Sequence, residues 1–228
     1  MNQPLNNTRI CPDFRWSAID TVLLDMDGTL LDKYFDDYFW EEFVPLMYAR
    51  KNGISTEAAT DKLMNGYRLV EDTLSWTDLD FWSDRLDLDI PALKREVSHL
   101  IQVHPFVIDF LDYIAGQVKQ VCLVTAAHNK TLAIKMKKVD LRPYFHNIIC
   151  AEEIGIAKET PEFWHKLEGL LRFDKSRTLL ADDTSKVLHA ARQHGISQII
   201  HVARPSSRNP IRYSEAFPSI AFFNELMF

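Results

Sequence analysis

Two carboxylates, Asp25 and Asp27, end the apolar run Val22-Leu23-Leu24 and are followed by Gly28 and Thr29. Period-two alternation directs both side chains to one side if a strand continues through them. Two like charges brought together at a buried strand end are costly unless a cation compensates them. Gly28 permits a tight turn, and Thr29 adds a hydroxyl. Alone, the run reads equally as a strand-ending turn whose aspartates cap the next segment. Partners come from farther along the chain. The strand-like run Val121 to Thr125 ends in a hydroxyl, and Arg177 to Ala181 leads into Asp182-Asp183. Lys158 falls between them, after Gly155 and just before the helix-start signal Thr160-Pro161-Glu162. Carboxylates, hydroxyls and one ammonium at a common edge form the set that phosphoryl transfer requires. They provide oxygen ligands for Mg²⁺, positive charge against phosphoryl oxygens, and a nucleophile.

The elements that must position these groups follow from hydrophobic patterning. Thr21 to Asp25, Val121 to Thr125, Arg177 to Ala181 and Gln198 to Val202 have strand length, and His146 to Cys150 is a weaker fifth candidate. Near-continuous apolar strands separated by helical patterns predict an α/β fold, a doubly wound parallel sheet covered on both faces. Roughly 95 residues separate the first strand from the second, far more than one crossover helix fills. Helical patterns occupy that gap at Tyr34 to Lys51, Thr56 to Val70, Thr73 to Leu86 and Pro91 to Ile101. Ser55 is placed as an N-cap, and Pro91 fits a first helical turn. Residues 33–104 are therefore expected to form a helical domain inserted after the first strand. Residues 1–32 and 105–228 would form the catalytic core, which resumes at His104-Pro105.

Charge and composition narrow the classes. The net charge is −6, and residues 33–104 hold 14 acidic against 8 basic side chains, so the excess lies wholly in the insertion. No basic stripe offers a counter-surface to a nucleic-acid polymer. Seven glycines leave no Gly-rich nucleotide loop, and no apolar run is long enough for a bilayer. Three cysteines without metal-like spacing read as thiols in a reducing compartment, and a soluble cytoplasmic monomer is expected. Only the polar start, Met1 to Asn7, suggests disorder.

With its motifs assembled, the chain resembles the haloacid dehalogenase superfamily of aspartate-nucleophile phosphatases. The resemblance rests on Leu24-Asp25-Met26-Asp27-Gly28-Thr29-Leu30-Leu31-Asp32, Val124-Thr125, Lys158 and Asp182-Asp183, in that order. It implies that Asp25 attacks phosphorus and that Asp27 is the general acid and base. It further implies that Lys158 and Thr125 steady the phosphoryl oxygens. Mg²⁺ would be held by Asp25, the carbonyl of Asp27, and Asp182, with Asp183 a ligand or neighbour. The insertion then corresponds to that family's cap domain. Within it, Phe35-Asp36-x-Tyr38-Phe39-Trp40, Asn52-Gly53 and Trp76 with Leu79-Asp80-x-Trp82-Ser83 resemble the bacterial GMP/IMP nucleotidases. Ala126 and Glu159 depart from the usual pattern, which places Asn and Pro there.

Eleven of the 26 aromatic residues lie in residues 33–104. Aromatics at helical spacing are ordinarily packing core. A purine ring nevertheless needs a stacking partner, and Tyr34, Trp40 or Trp76 is placed to supply it, with Thr29 as a polar contact. The substrate expected is a small phosphorylated metabolite, a GMP- or IMP-like nucleotide. Sugar-phosphate and phosphoglycolate phosphatases and phosphomutases would share the same core, whereas an inactive binding module would have no use for a nucleophile.

Overall fold

β-branched and leucine-rich runs with no polar interruption form the centre of the molecule. In the computed structural model, which describes residues 9–117 and 119–228, they build one six-stranded parallel sheet in the order β3-β2-β1-β4-β5-β6. The strands are β1 (Thr21–Leu24), β2 (Gln120–Thr125), β3 (Asn147–Cys150), β4 (Thr178–Asp182), β5 (Gln198–Val202) and β6 (Ser219–Ile220). Both faces are covered, as the patterning predicts. Val22 and Leu24 enter one buried cluster while Leu23 enters another, so alternate residues of β1 serve opposite sides of the sheet. The two-residue β6 was not expected, being too short to carry any periodicity. The polar start, Met1 to Asn7, lies outside the described residues.

Helices α1 (Tyr34–Tyr38), α2 (Val44–Asn52), α3 (Thr56–Arg68), α4 (Leu74–Thr77), α5 (Leu79–Leu86) and α6 (Ile90–Glu96) all fall between β1 and β2. A wider π turn, Phe39–Phe43, joins α1 to α2. It precedes Pro45, whose ring would clash with the Glu41 carbonyl in an unbroken α-helix. Ser55 caps α3, as expected, by accepting from the Ala58 amide at 3.2 Å. The helix expected over Thr73 to Leu86 is two helices. The Asp78 side chain accepts from the amides of Asp80 and Phe81 and so restarts the chain as α5. The pattern from Pro91 to Ile101 ends its α-helix at Glu96 and continues as a single 3₁₀ turn, Ser98–Leu100. The remaining helices are α7 (Val107–Ala115), α8 (Asn129–Lys138), α9 (Ala151–Ile154), α10 (Pro161–Leu171) and α11 (Ser185–His194). α10 and α11 fill one face of the sheet with Phe163, Trp164, Leu167, Val187 and Leu188.

The two ends of the insertion lie side by side. Leu31 and Val103 form an antiparallel bridge, the Asp32 amide donates to Gln102 O, and the His104 amide donates to Leu30 O. The strand order reverses direction at β1 and β4, and in open α/β sheets ligands bind outside the carboxyl ends of strands at such a switch point. Asp25 follows the last residue of β1, and Asp182 is the last residue of β4.

Candidate active site

Burial without matching countercharge defines the carboxyl edge of the sheet. Asp25 leaves β1 with its amide donating to Ala181 O at 3.0 Å, which fixes it beside the end of β4. The Lys158 ammonium, 1% exposed, donates to Asp25 Oδ1 at 2.7 Å, to Asp182 Oδ2 at 2.8 Å and to Val124 O at 2.8 Å. Three protons meet three acceptors, so the lysine is fully committed to the ends of β1, β2 and β4. Burial alone would lower its pKa, but the attraction of Asp182 and Asp25 holds it above the ordinary lysine value. Lys158 keeps its place through Trp164, whose indole N–H donates to the Lys158 carbonyl at 2.9 Å.

Asp25, Asp182 and Asp183 each offer an oxygen within 4.8 Å of the others. Burial raises Asp25 to about 6 despite Lys158, and the Asp182 charge pushes in the same direction. Asp183 is raised well above the ordinary carboxylate value, by burial first and then by Asp182 and Asp25. Three carboxylates with one ammonium form an oxygen-only donor set of the kind that a hard divalent cation satisfies. Gly28 makes this approach possible. Its φ is +85°, and a Cβ at that position would stand 2.4 Å from Asp183 Oδ2. Asp183 does not cap α11; Thr184 precedes the helix, and Asp182 Oδ1 accepts from the Thr184 amide at 2.8 Å.

Asp27 lies one turn away, within a different set of charges. The Lys135 ammonium of α8 donates to Asp27 Oδ1 and to Asp36 Oδ2, while Lys94 of α6 donates to Asp36 Oδ1 at 2.8 Å. Burial raises Asp27 to about 6; Lys135 opposes that shift, and Asp36 adds to it. Nothing in sequence marked Lys94, Lys135 or this role of Asp36. Lys135 sits in a lysine-rich stretch that reads as a solvated helix end. Its one distinguishing signal is position, four residues after the buried Thr131 and next to the buried Met136.

The carboxylates of both sets, with Lys158 and Lys94, line one cavity of about 370 Å³. Its floor holds Asp25, Asp27, Thr125, Lys158, Asp182 and Asp183, and its upper wall is made by Trp40, Met64, Tyr67, Arg68 and Trp76. Trp40 and Trp76 are thus on the wall, both packed edge-on against Tyr67. Thr29 and Tyr34 are not among the lining residues. The turn at Gly28 carries Thr29 into the core, where its hydroxyl is buried without a hydrogen-bond partner. Tyr34 lies beneath the Arg208 guanidinium, 4.3 Å from the ring centroid. Thr125 Oγ1 accepts from the Ala127 amide at 3.0 Å, the strand-end turn that a hydroxyl there allows. His128 caps the start of α8 and points Nε2 at Glu152, 3.2 Å away. All three cysteines are free thiols, and among the described residues no helix is long and apolar enough to cross a membrane.

Residues 19–195 match the family profile of haloacid dehalogenase-like hydrolases. The chain is 35% identical over 212 residues to the GMP/IMP nucleotidase YrfG of Escherichia coli (strain K12), covering 93% of this chain and 96% of that one. It is 21% identical to a phosphorylated carbohydrates phosphatase of Thermotoga maritima, covering 81% and 85% of the two chains. The crystal structure of a phosphatase from Thermococcus onnurineus shares the fold, with a TM-score of 0.76 at 24% identity and coverage of 91% and 96%. By profile and by identity along almost its whole length, the chain belongs to the haloacid dehalogenase-like hydrolases.

Proposed function

We propose that this hydrolase is a Mg²⁺-dependent phosphatase that cleaves a purine 5′-nucleotide through an aspartyl-phosphate. The observation that carries the reading is the convergence of Asp25, Asp182 and Asp183 on one point, with Lys158 bridging two of them, under an aromatic wall. Residues 1–32 and 105–228 act as the catalytic core, and residues 33–104 act as a cap over it. Asp25, Asp182, Asp183 and the Asp27 carbonyl would hold the metal. When bound, Mg²⁺ supplies positive charge that lets a carboxylate approach a phosphate dianion.

Asp25 attacks phosphorus and displaces the nucleoside 5′-oxygen. Asp27 gives that oxygen a proton as it leaves, then takes one from the water that hydrolyses the acyl phosphate. Lys158 holds Asp25 in line, and Thr125 donates to a phosphoryl oxygen. Positioning and electrostatics provide most of the acceleration in such transfers. For the base, Trp76 and Trp40 offer ring faces, and Arg68, Glu41 and Glu71 share the same cavity. A carboxylate accepting from N1–H while a guanidinium donates to O6 favours guanine and hypoxanthine, since adenine lacks both features. The similarity to the E. coli nucleotidase supports this substrate class.

Phosphate release over nucleotides, sugar phosphates and phosphoglycolate, with and without Mg²⁺, tests the reading. GMP and IMP should give the highest kcat/KM, and Asp25→Asn should lower turnover at least about 10³-fold with the fold intact. Preference for sugar phosphates would remove the nucleotidase assignment and keep the phosphatase. No turnover of any ester would remove both.

A further inference from the structure

A lysine buried beside a carboxylate that must exchange protons calls for a reason. Lys135 is 1% exposed although its neighbours Lys137 and Lys138 are exposed, and Lys94 is 2% exposed. Bringing two ammonium groups out of water is costly unless each meets an opposite charge with good geometry. Here the charges alternate in one line, Lys94–Asp36–Lys135–Asp27, with contacts of 2.8, 2.5 and 2.5 Å. The Phe35, Phe39 and Trp40 rings lie 4.8 to 5.4 Å from the Lys94 ammonium, and Phe35 also faces Lys135 at 5.3 Å. The line thus runs from α6 and α1 of the insertion, through α8 of the core, to the turn after β1. It shares no atom with the Lys158 cluster.

We propose that Lys135 is a positioning residue for Asp27, itself held in register by Asp36 and Lys94 of the insertion. This rests on the acid–base role of Asp27 given above. Lys135 engages Oδ1 and so sets the carboxylate's rotamer, leaving Oδ2 to exchange a proton with the departing oxygen and then with water. Because Asp36 and Lys94 come from the insertion, the acid–base group is correctly aimed only when the insertion sits against the core. Lys158 would bind and orient the nucleophile in either case. The two lysines then divide the work: one serves attack, and the other serves proton transfer.

The division can be read by changing the leaving group. An alkyl ester needs a proton at its departing oxygen, whereas p-nitrophenolate leaves without one. Single-turnover release should be measured at saturating Mg²⁺ for p-nitrophenyl phosphate and for the best alkyl phosphate of the panel above. The variants are Lys135→Met, Lys135→Arg, Asp36→Asn, the Lys135→Met/Asp36→Asn double variant, and Asp27→Asn. Lys135→Met should slow alkyl-ester cleavage about 10²-fold, the lower end of what general acid–base catalysis supplies. The p-nitrophenol burst should change less than about threefold and KM should stay near the wild-type value. Lys135→Arg should recover part of the loss, Asp36→Asn should move the same way, and the double variant should be no worse than Lys135→Met. Equal slowing of both esters, or a loss that tracks the melting temperature and is not relieved by arginine, would overturn the positioning role. If Asp27→Asn itself leaves alkyl-ester cleavage intact, the acid–base assignment fails instead. If wild type cleaves no ester, the phosphatase reading fails.

Discussion

At the strand ends three carboxylates gather with a single ammonium that bonds two of them; beside them, two carboxylates alternate with two ammonium groups. The ammonium groups of both sets are buried, Asp27, Asp36 and Asp183 are partly so, and both sets join elements distant in sequence. They differ in whether the chain closes its own account of charge. The Lys94–Asp36–Lys135–Asp27 line is neutral as it stands and can hold a geometry without help. The Asp25–Asp182–Asp183 group is left two negative charges in excess of Lys158; burial first, and then the neighbouring carboxylates, raise Asp25 and Asp183. Such an excess is what a bound cation would offset.

The largest test of this contrast is Lys158→Met. It removes the one cation between two buried carboxylates and should destabilise the protein by about 3–5 kcal/mol, the cost of stranding a buried partner. Denaturant midpoints measure this, and turnover should be lost as well. A variant as stable as wild type would show that the floor is not short of positive charge.

A smaller effect should appear with pH. In the unfolded chain Asp25 titrates near 4, whereas burial raises it to about 6 in the folded protein. Between those values the folded state binds the extra proton, so this group's contribution to stability falls as pH rises through the window. Without metal, Asp25→Asn should therefore gain a few degrees in melting temperature relative to wild type between about pH 4.5 and 7. Saturating Mg²⁺ should cancel or reverse that gain. A difference that is flat with pH would break the contrast between the two sides.

The smallest effect concerns the wall. Trp76 is 36% exposed at the cavity, so its stacking face is available. Trp76→Ala should raise KM for a purine nucleotide about three- to tenfold, the worth of one aromatic contact, with kcat little changed. A matching rise in KM for ribose 5-phosphate would show that the ring does not meet the base.

The floor was legible because its carboxylates and its hydroxyl end or closely follow apolar runs of strand length, and Lys158 because it precedes the helix-start signal Thr160-Pro161 between two of those runs. Asp25, Thr125 and Asp182 terminate such runs, and parallel pairing brings their ends together. The helical insertion was legible as a mass of helix, and less so in its joints. Asp78 restarts a helix through its own side chain, a contest between local hydrogen bonding and propensity that periodicity cannot decide. Thr29 was expected near substrate as a hydroxyl contact, and Tyr34 as one of the rings that could stack on a purine. The left-handed turn at Gly28 takes Thr29 into the core, and Tyr34 instead packs beneath Arg208. Lys135 was hidden for the opposite reason: among lysines at a helix end, only burial distinguishes the one that matters, and burial is a property of the fold.

The antiparallel contact of residues 30–32 with 102–104 has a consequence for how such a molecule can change. To the sheet, the 70 or so residues between behave as a hairpin already tied at its base, since their length adds little to the entropy of closing it. That makes the junction a natural suture. A different helical module could be grafted between Asp32 and Gln102 without shifting the register of β1 on β2, provided it supplied the apolar contacts that Phe35 and Phe39 now make. Such a graft would also have to rebuild the Lys94–Asp36–Lys135–Asp27 line, the charged link that ties the insertion to the turn after β1.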